Sequence, residues 1–237
     1  PLPPPIAEPR DVAYPGTLKL DIDATDLDRR VYRIKETIPV AAPGSMVLLY
    51  ARWIPGTHSP DGPLYNYSGL RISAGGREIQ WTRDTVDVFA FHIDVPRGAT
   101  TLDIEAQYLT PVESDQGGAA MTREMLRLNW YATALYPAGY FTRRISVDAT
   151  LKLPEAWNFG TALDVASSSG QTTAFKTVSF EVLADSPVLA GKHFKKIDLD
   201  PGGRSRVTLN VAADAPELLE ASRSEEHTSE LQSRFGI

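Results

Sequence analysis

The chain has 237 residues, 42% hydrophobic and 23% charged, enough for one large β domain with an ordinary core that needs no covalent staple. Its formal net charge of -6, with Lys and Arg scattered singly, leaves no basic footprint for nucleic acid or an anionic membrane surface, and no run approaches the roughly 18 apolar residues that span a bilayer. The absence of cysteine excludes a disulfide framework, a thiolate zinc site and a thiol nucleophile.

Residues 1–16 open Pro-Leu-Pro-Pro-Pro-Ile-Ala-Glu-Pro and read as an extended, polyproline-type leader. The leader has neither an initiator Met nor a visible signal peptide, which reads as a removed signal or a fragment. From Thr17 onward apolar residues recur at every second position, the period of a half-buried strand. Leu18, Leu20, Ile22 and Ala24 form the first such face; Tyr32, Ile34 and Ile38 form the next, with Glu36 a polar exception in the same register. Met46 to Tyr50 is a short apolar strand that runs into the stretch from Trp53 to Tyr67. Leu70 and Ile72, the Gly75-Gly76 turn, and Ile79 and Trp81 predict a hairpin.

Phe89, Phe91, Ile93 and Val95, a turn at Pro96 to Gly98, and Leu102, Ile104, Ala106 and Tyr108 predict an antiparallel pair. Further strands are expected over Leu126 to Ala134 and Ile145 to Leu153, and around Phe175, Phe180, Ile197 and Leu209. No helical period occurs before Ala213, so the expected fold is all-β: an antiparallel β-sandwich over residues 17–213. A helix start follows at Asp214-Ala-Pro-Glu, where Pro216 suits a first turn.

Trp53-Ile-Pro-Gly-Thr-His-Ser-Pro-Asp-Gly-Pro-Leu-Tyr-Asn-Tyr67 interrupts the strands with a stiff, aromatic-rich loop. Its prolines fix backbone angles, and Trp53, Tyr65 and Tyr67 carry large apolar faces with polar edges. Such a loop suits a contact surface; equally, it suits a crossover whose aromatics cap the core. Chemistry is harder to find. His58 with Asp61, or His92 with Asp94, supplies at most two metal ligands, and no zincin helix motif occurs. His92 lies opposite the Phe91 and Ile93 face, which predicts a surface role. Ser167 to Gly170 is a polar turn rather than a nucleophile elbow, and Glu105, Glu113, Asp115 and Glu124 read as solvated carboxylates. The catalytic and metal sets expected in this chain are therefore empty. Two readings without catalysis are open. In the first, Trp53, Tyr65, Tyr67, Tyr131 and Tyr140 form a carbohydrate-stacking platform; in the second, the sandwich is purely structural, with Trp81, Trp130 and Trp157 in its core.

Arg223-Ser-Glu-Glu-His-Thr-Ser-Glu-Leu-Gln-Ser233 resembles the conceptual translation of a sequencing-library adapter, so residues 223–237 are expected to be artefactual and His227 and Glu230 are set aside. The segment 214–222 then reads as the start of a helix cut short.

Trp53-Ile-Pro-Gly56, Gly69-Leu-Arg-Ile72, Trp81-Thr-Arg-Asp84, Val86 to Phe91, Leu135-Tyr-Pro-Ala-Gly139, Leu153 to Trp157 with Thr161-Ala-Leu163, and Leu183-Ala-Asp-Ser-Pro-Val188 with Ala190-Gly191 occur in one order along the chain. Together they resemble the N-terminal β domain of the PDZ-containing glycyl aminopeptidase family, zinc metallopeptidases related to thermolysin and aminopeptidase N. The resemblance implies a parent zinc aminopeptidase in which a metal-activated water and a glutamate base act on peptides with a small N-terminal residue. It also implies downstream catalytic and PDZ domains as partners, zinc held in the catalytic domain and no cofactor in this chain. A periplasmic or secreted location follows as an expectation. Trp53, Pro55, Gly56, His58, Tyr65, Tyr67, Asp185 and Ser186 are then the expected residues of a domain-docking surface or a cleft wall.

Overall fold

The computed structural model describes residues 4–54, 59–60, 62–111, 121–202 and 207–219. In chain order the strands are β1 (Thr17–Asp26), β2 (Val31–Pro39), β3 (Gly44–Tyr50), β4 (Tyr67–Ala74), β5 (Arg77–Ile79), β6 (Trp81–Arg83), β7 (Ala90–Val95), β8 (Thr101–Leu109) and β9 (Met125–Leu128). They continue with β10 (Leu135–Pro137), β11 (Ser146–Lys152), β12 (Asn158–Gly160), β13 (Val165–Ser169), β14 (Thr172–Phe175), β15 (Val178–Ser179), β16 (Val188–Gly191), β17 (His193–Asp198) and β18 (Thr208–Ala213). One short helix, α1 (Phe180–Ala184), sits between β15 and β16.

Nine strands form the large sheet, in the order β13-β14-β11-β1-β2-β8-β4-β5 with β15 also on β11; β10-β3-β7-β6 form a second sheet, β12-β16-β9 a third and β17-β18 a ribbon. The fold is mostly β and sandwich-like, as the alternation implies. Leu18, Leu20, Ile22, Ile34, Ile104 and Tyr108 line the inner face of the large sheet, and Leu48, Tyr50, Phe91 and Ile93 line that of the second, all within one buried cluster. Cross-links seal the layers. Tyr50 Oη donates to the Ala132 carbonyl at 3.0 Å, and Trp81 Nε1 donates to the Leu70 carbonyl at 3.2 Å. Trp130 is 1% exposed, while Trp81 and Trp157 pack against the cluster from its margin.

The Gly75-Gly76 turn forms as the sequence predicts: Ala74 pairs with Arg77, and both glycines take positive φ, at 55° and 77°, as a two-residue turn of matching twist requires; the return strand stops at Ile79, however, and Trp81 opens β6, which pairs with β7 in the second sheet. Further features differ from the sequence reading. The strand expected over Leu126 to Ala134 ends at Leu128, and Trp130–Ala132 form a 3-10 turn that buries Trp130 and Ala132. β7 and β8 do not pair; β7 lies between β3 and β6, and β8 between β2 and β4, so the turn at Pro96 to Gly98 carries the chain from one layer to the other. Alternation identifies a buried face but not the neighbour across it, and here both strands turn their apolar faces to the same core from opposite sides. β1 pairs with β11 in parallel, the exception in a largely antiparallel sheet. Phe180 opens a helix rather than a strand: Ser179 Oγ accepts the Val182 N–H at 3.2 Å as an N-cap, and Phe180 and Leu183, three residues apart, bury one face. A single helical turn is too short to show a period.

The proline-rich segment is packed down over its C-terminal half. Arg10 N–H bonds to the Gly139 carbonyl at 3.1 Å, Tyr14 is buried with its hydroxyl on the Pro39 carbonyl, and Asp11 pairs with Arg143 and Arg144. At the other end, Pro216–Leu219 form a 3-10 turn; residues 220–237, and with them the adapter-like segment, lie outside the described residues.

Candidate functional site

β3 ends at Tyr50, and the chain leaves the second sheet through a pinched base. Gly62 N–H bonds to the Arg52 carbonyl at 3.1 Å, and a Cβ on Gly62 would lie 2.1 Å from the Ala51 carbonyl oxygen, so only glycine allows this approach. The 3-10 turn Leu64–Asn66 then buries Leu64 and delivers Tyr67 into β4. Beyond the pinch, Trp53 is 59% exposed and Tyr65 74%. Pro55, Gly56, His58 and Asp61 lie outside the described residues.

A second turn braces this one. Arg52 and Asp87 form an ion pair at 2.7 Å, tying the exit of β3 to the β6–β7 turn. Asp84 organises that turn: one oxygen accepts the N–H groups of Val86 and Asp87 at 2.8 and 3.0 Å, and the other meets His92 Nε2 at 2.7 Å. Those contacts, the Asp87 N–H foremost, hold the Asp84 carboxyl below its ordinary range. The surface role expected of His92 is thereby corrected. Its ring packs into the turn because its partner is eight residues away, on the neighbouring strand exit, where local sequence does not reveal it. The turn also presents Val86 and Val88 to solvent.

Two grooves flank Trp53. The first encloses about 390 Å³ between Ala51, Trp53 and Ile54 on one side and Tyr131, Tyr136 and Phe180 on the other; Glu181, in the first turn of α1, is its one charged lining residue among those described. The second, about 460 Å³, runs between Ile6 to Pro9 of the leader and Leu49, Arg52, Asp87 and Phe89. Trp53 and Tyr136 line both. Tyr136 rests on Phe180 with ring centroids 4.8 Å apart, and burial raises the phenol pKa of Tyr136 and of Tyr131. Aromatic walls of this kind receive an apolar body; among the described residues no group of three His, Cys, Asp or Glu could hold a metal ion. The residues described here therefore do not fit a zinc site.

The expected site residues take different places. Trp53 and Tyr65 are on the surface, whereas Tyr67 is buried against Tyr50, their centroids 5.4 Å apart. Asp185 is exposed at the end of α1, and the buried Ser186 donates its hydroxyl to the Val182 carbonyl at 2.7 Å, so this pair closes the helix that walls the first groove. The stacking set divides: Trp53 and Tyr131 share a groove, but Tyr140 packs at right angles on Tyr14 beneath Arg10. Of the carboxylates, Glu105 is exposed on the outer face of β8 and Glu124 contacts Lys192 and His193, while Glu113 and Asp115 lie outside the described residues. Sequence reading missed Tyr136, Phe180 and Glu181. Tyr136 lies between the strands expected over Leu126 to Ala134 and Ile145 to Leu153, and the other two sat in a misassigned strand.

These features define a β-sandwich domain with aromatic-lined grooves at one end. Residues 19–192 match the peptidase M61 N-terminal domain, and the chain belongs to that family. No curated protein matches it. Among solved structures, an aminopeptidase N family protein from Idiomarina loihiensis superposes with a TM-score of 0.70 at 15% identity, over 83% of this chain and 32% of that one. An M1 zinc metallopeptidase from Deinococcus radiodurans gives a TM-score of 0.42 at 13% identity, over 95% of this chain and 53% of that one, too low a score to carry an argument. The first likeness shows a shared fold. This chain spans about a third of the Idiomarina chain and about half of the Deinococcus one. No helix among the described residues is long and apolar enough to cross a membrane.

Proposed function

We propose that this chain is the non-catalytic N-terminal domain of a zinc metallo-aminopeptidase of the glycyl aminopeptidase type, packing on a downstream catalytic domain and walling one side of its peptide cleft. The observation that carries this reading is Trp53: a large apolar side chain left 59% exposed between two grooves, on a loop whose base is pinned by Gly62 and Arg52. A rigid exposed aromatic loses little entropy when it meets another surface, which suits an intramolecular docking face. In this reading residues 17–213 are the domain, 214–222 lead into the catalytic domain, a PDZ domain lies further on, and 223–237 are adapter-derived. Zinc belongs to the catalytic domain, the substrate is a peptide, and the parent protein is periplasmic or secreted.

Trp53→Ala in the parent enzyme tests it. A docking or cleft role predicts a fall in kcat/KM on short peptides together with a lower unfolding temperature of the two-domain unit. Unchanged kinetics and unchanged thermal stability would sink the proposal.

A further inference from the structure

The groove between the Trp53 loop and α1 joins four aromatic side chains to a single charge: Trp53, Tyr131, Tyr136 and Phe180 supply its faces and Glu181 its carboxylate. The wall next to Glu181 is firm, since Phe180 is buried and Tyr136 rests on it with centroids 4.8 Å apart. Glu181 itself is exposed and forms no ion pair among the described residues. Cations adjoin the groove in sequence, but each is engaged elsewhere. Arg52, between Ala51 and Trp53, pairs with Asp87 at 2.7 Å; Arg143 and Arg144, which follow Thr142 of the groove, pair with Asp11 at 3.2 and 2.6 Å. No Lys or Arg lines the groove among the described residues, so the chain leaves the charge of Glu181 unanswered.

Aromatic faces attract cations through the ring quadrupole, and a guanidinium both stacks flat on a ring and pairs with a carboxylate through its fork of donors. A site with both elements and no cation of its own is complementary to a planar cation on an apolar stem. An anion would be repelled by Glu181, and a neutral ligand would leave it without a partner. The volume, about 390 Å³, is that of a cleft for a drug-sized ligand and exceeds what one side chain fills. A polar group suited to a peptide backbone is also at hand: Tyr131 Oη accepts from the buried Asn129 amide at 3.0 Å and keeps its own O–H as a donor. We propose that this groove is a subsite for an arginine side chain of a bound peptide, its guanidinium stacked on the aromatic wall and paired with Glu181 while Tyr131 donates to a neighbouring peptide carbonyl.

The subsite rests on the functional reading only in taking the ligand to be a peptide, and it is tested in this chain alone. The probes are two blocked tripeptides, acetyl-Ala-Arg-Ala-amide and its citrulline counterpart, which keeps the shape of arginine and removes the charge. Fluorotryptophan NMR, with the Trp53 signal assigned by Trp53→Phe, is expected to show saturable binding of the arginine peptide. The citrulline peptide should bind about three- to tenfold more weakly, the combined range of an exposed ion pair and a cation–π contact. Added salt should narrow that preference, because the pair is exposed. Glu181→Gln, a change at an exposed position, removes the ion pair and should bring the preference down to about twofold. Equal affinity of the two peptides for the wild type, or a preference of unchanged size in Glu181→Gln, would overturn the subsite. So would an arginine preference that leaves the Trp53 signal unmoved. If neither peptide binds, while Trp53→Ala still lowers the kcat/KM and stability of the parent enzyme, the arginine subsite falls and the docking reading stands.

Discussion

The outer face of the large sheet and the loop-bearing end of the sandwich are both exposed, and they solve exposure in opposite ways. On the sheet, Asp21 lies opposite Lys35, Asp23 opposite Arg33 and Lys35 opposite Glu105, so the water-facing rows alternate in sign across strands. At the loop end the exposed residues are Trp53, Tyr65, Val86 and Val88, held on two turns that brace each other through Arg52 and Asp87. A face that only meets water has no use for a rigid aromatic. The contrast shows that exposed aromatic side chains at the loop end rest on a stiff support, which is what the proposed docking face requires.

Substitutions sharpen this contrast in order of size. Beneath the charged face, Ile104→Ala removes a side chain only 1% exposed and is expected to cost about 2–5 kcal/mol in chemical denaturation. Next comes Gly62→Ala, whose added methyl meets the Ala51 carbonyl; about 1–3 kcal/mol should be lost, with the Trp53 emission spectrum shifted as the loop base opens. Asp84→Ala should lower the unfolding temperature at pH 7 by less than Gly62→Ala. The difference from wild type should shrink as pH falls below 3.8, because a carboxyl held below its ordinary pKa gives its stability above that value and loses it in acid. The smallest changes fall at exposed positions. Lys152→Ala breaks a half-exposed pair with Asp23, and Trp53→Ala truncates a side chain most of which is already in water; each should stay within about 0.5 kcal/mol in this chain. A large loss for Trp53→Ala in the chain alone would move that residue from the interaction face to the core and erase the contrast.

Much of the architecture was legible because period-two alternation is a local signal. Leu18 to Ala24, Ile34 with Ile38, and Leu102 to Tyr108 name their buried face without reference to any partner. Pairing is not local. Nothing in residues 89–108 says that β7 and β8 belong to different layers, nor does anything near Thr17 announce a parallel neighbour in β11. At the site, Trp53 and Tyr65 stood out because proline and glycine mark a stiff loop, yet Tyr67 faces inward and Ser186 closes a helix. Tyr136 and Phe180 reach the groove from β10 and α1, far along the chain. Glu36 was visible as the one polar residue in an apolar register, but its partner, the Leu135 N–H of the second sheet, is brought to it only by the folded layers.

The parallel pairing of β1 with β11 bears on how the chain is made. β2 follows β1 through a short turn, so one edge of β1 is covered almost as soon as it is synthesised, but its other edge has no partner until Ser146 to Lys152 exist. During that interval a nascent chain carries an open strand edge beside an apolar face, the arrangement most prone to pairing with a neighbouring chain. The alternation of Lys19, Asp21 and Asp23 along β1 places charges on that waiting strand, where they discourage such a mismatch until the late strand arrives.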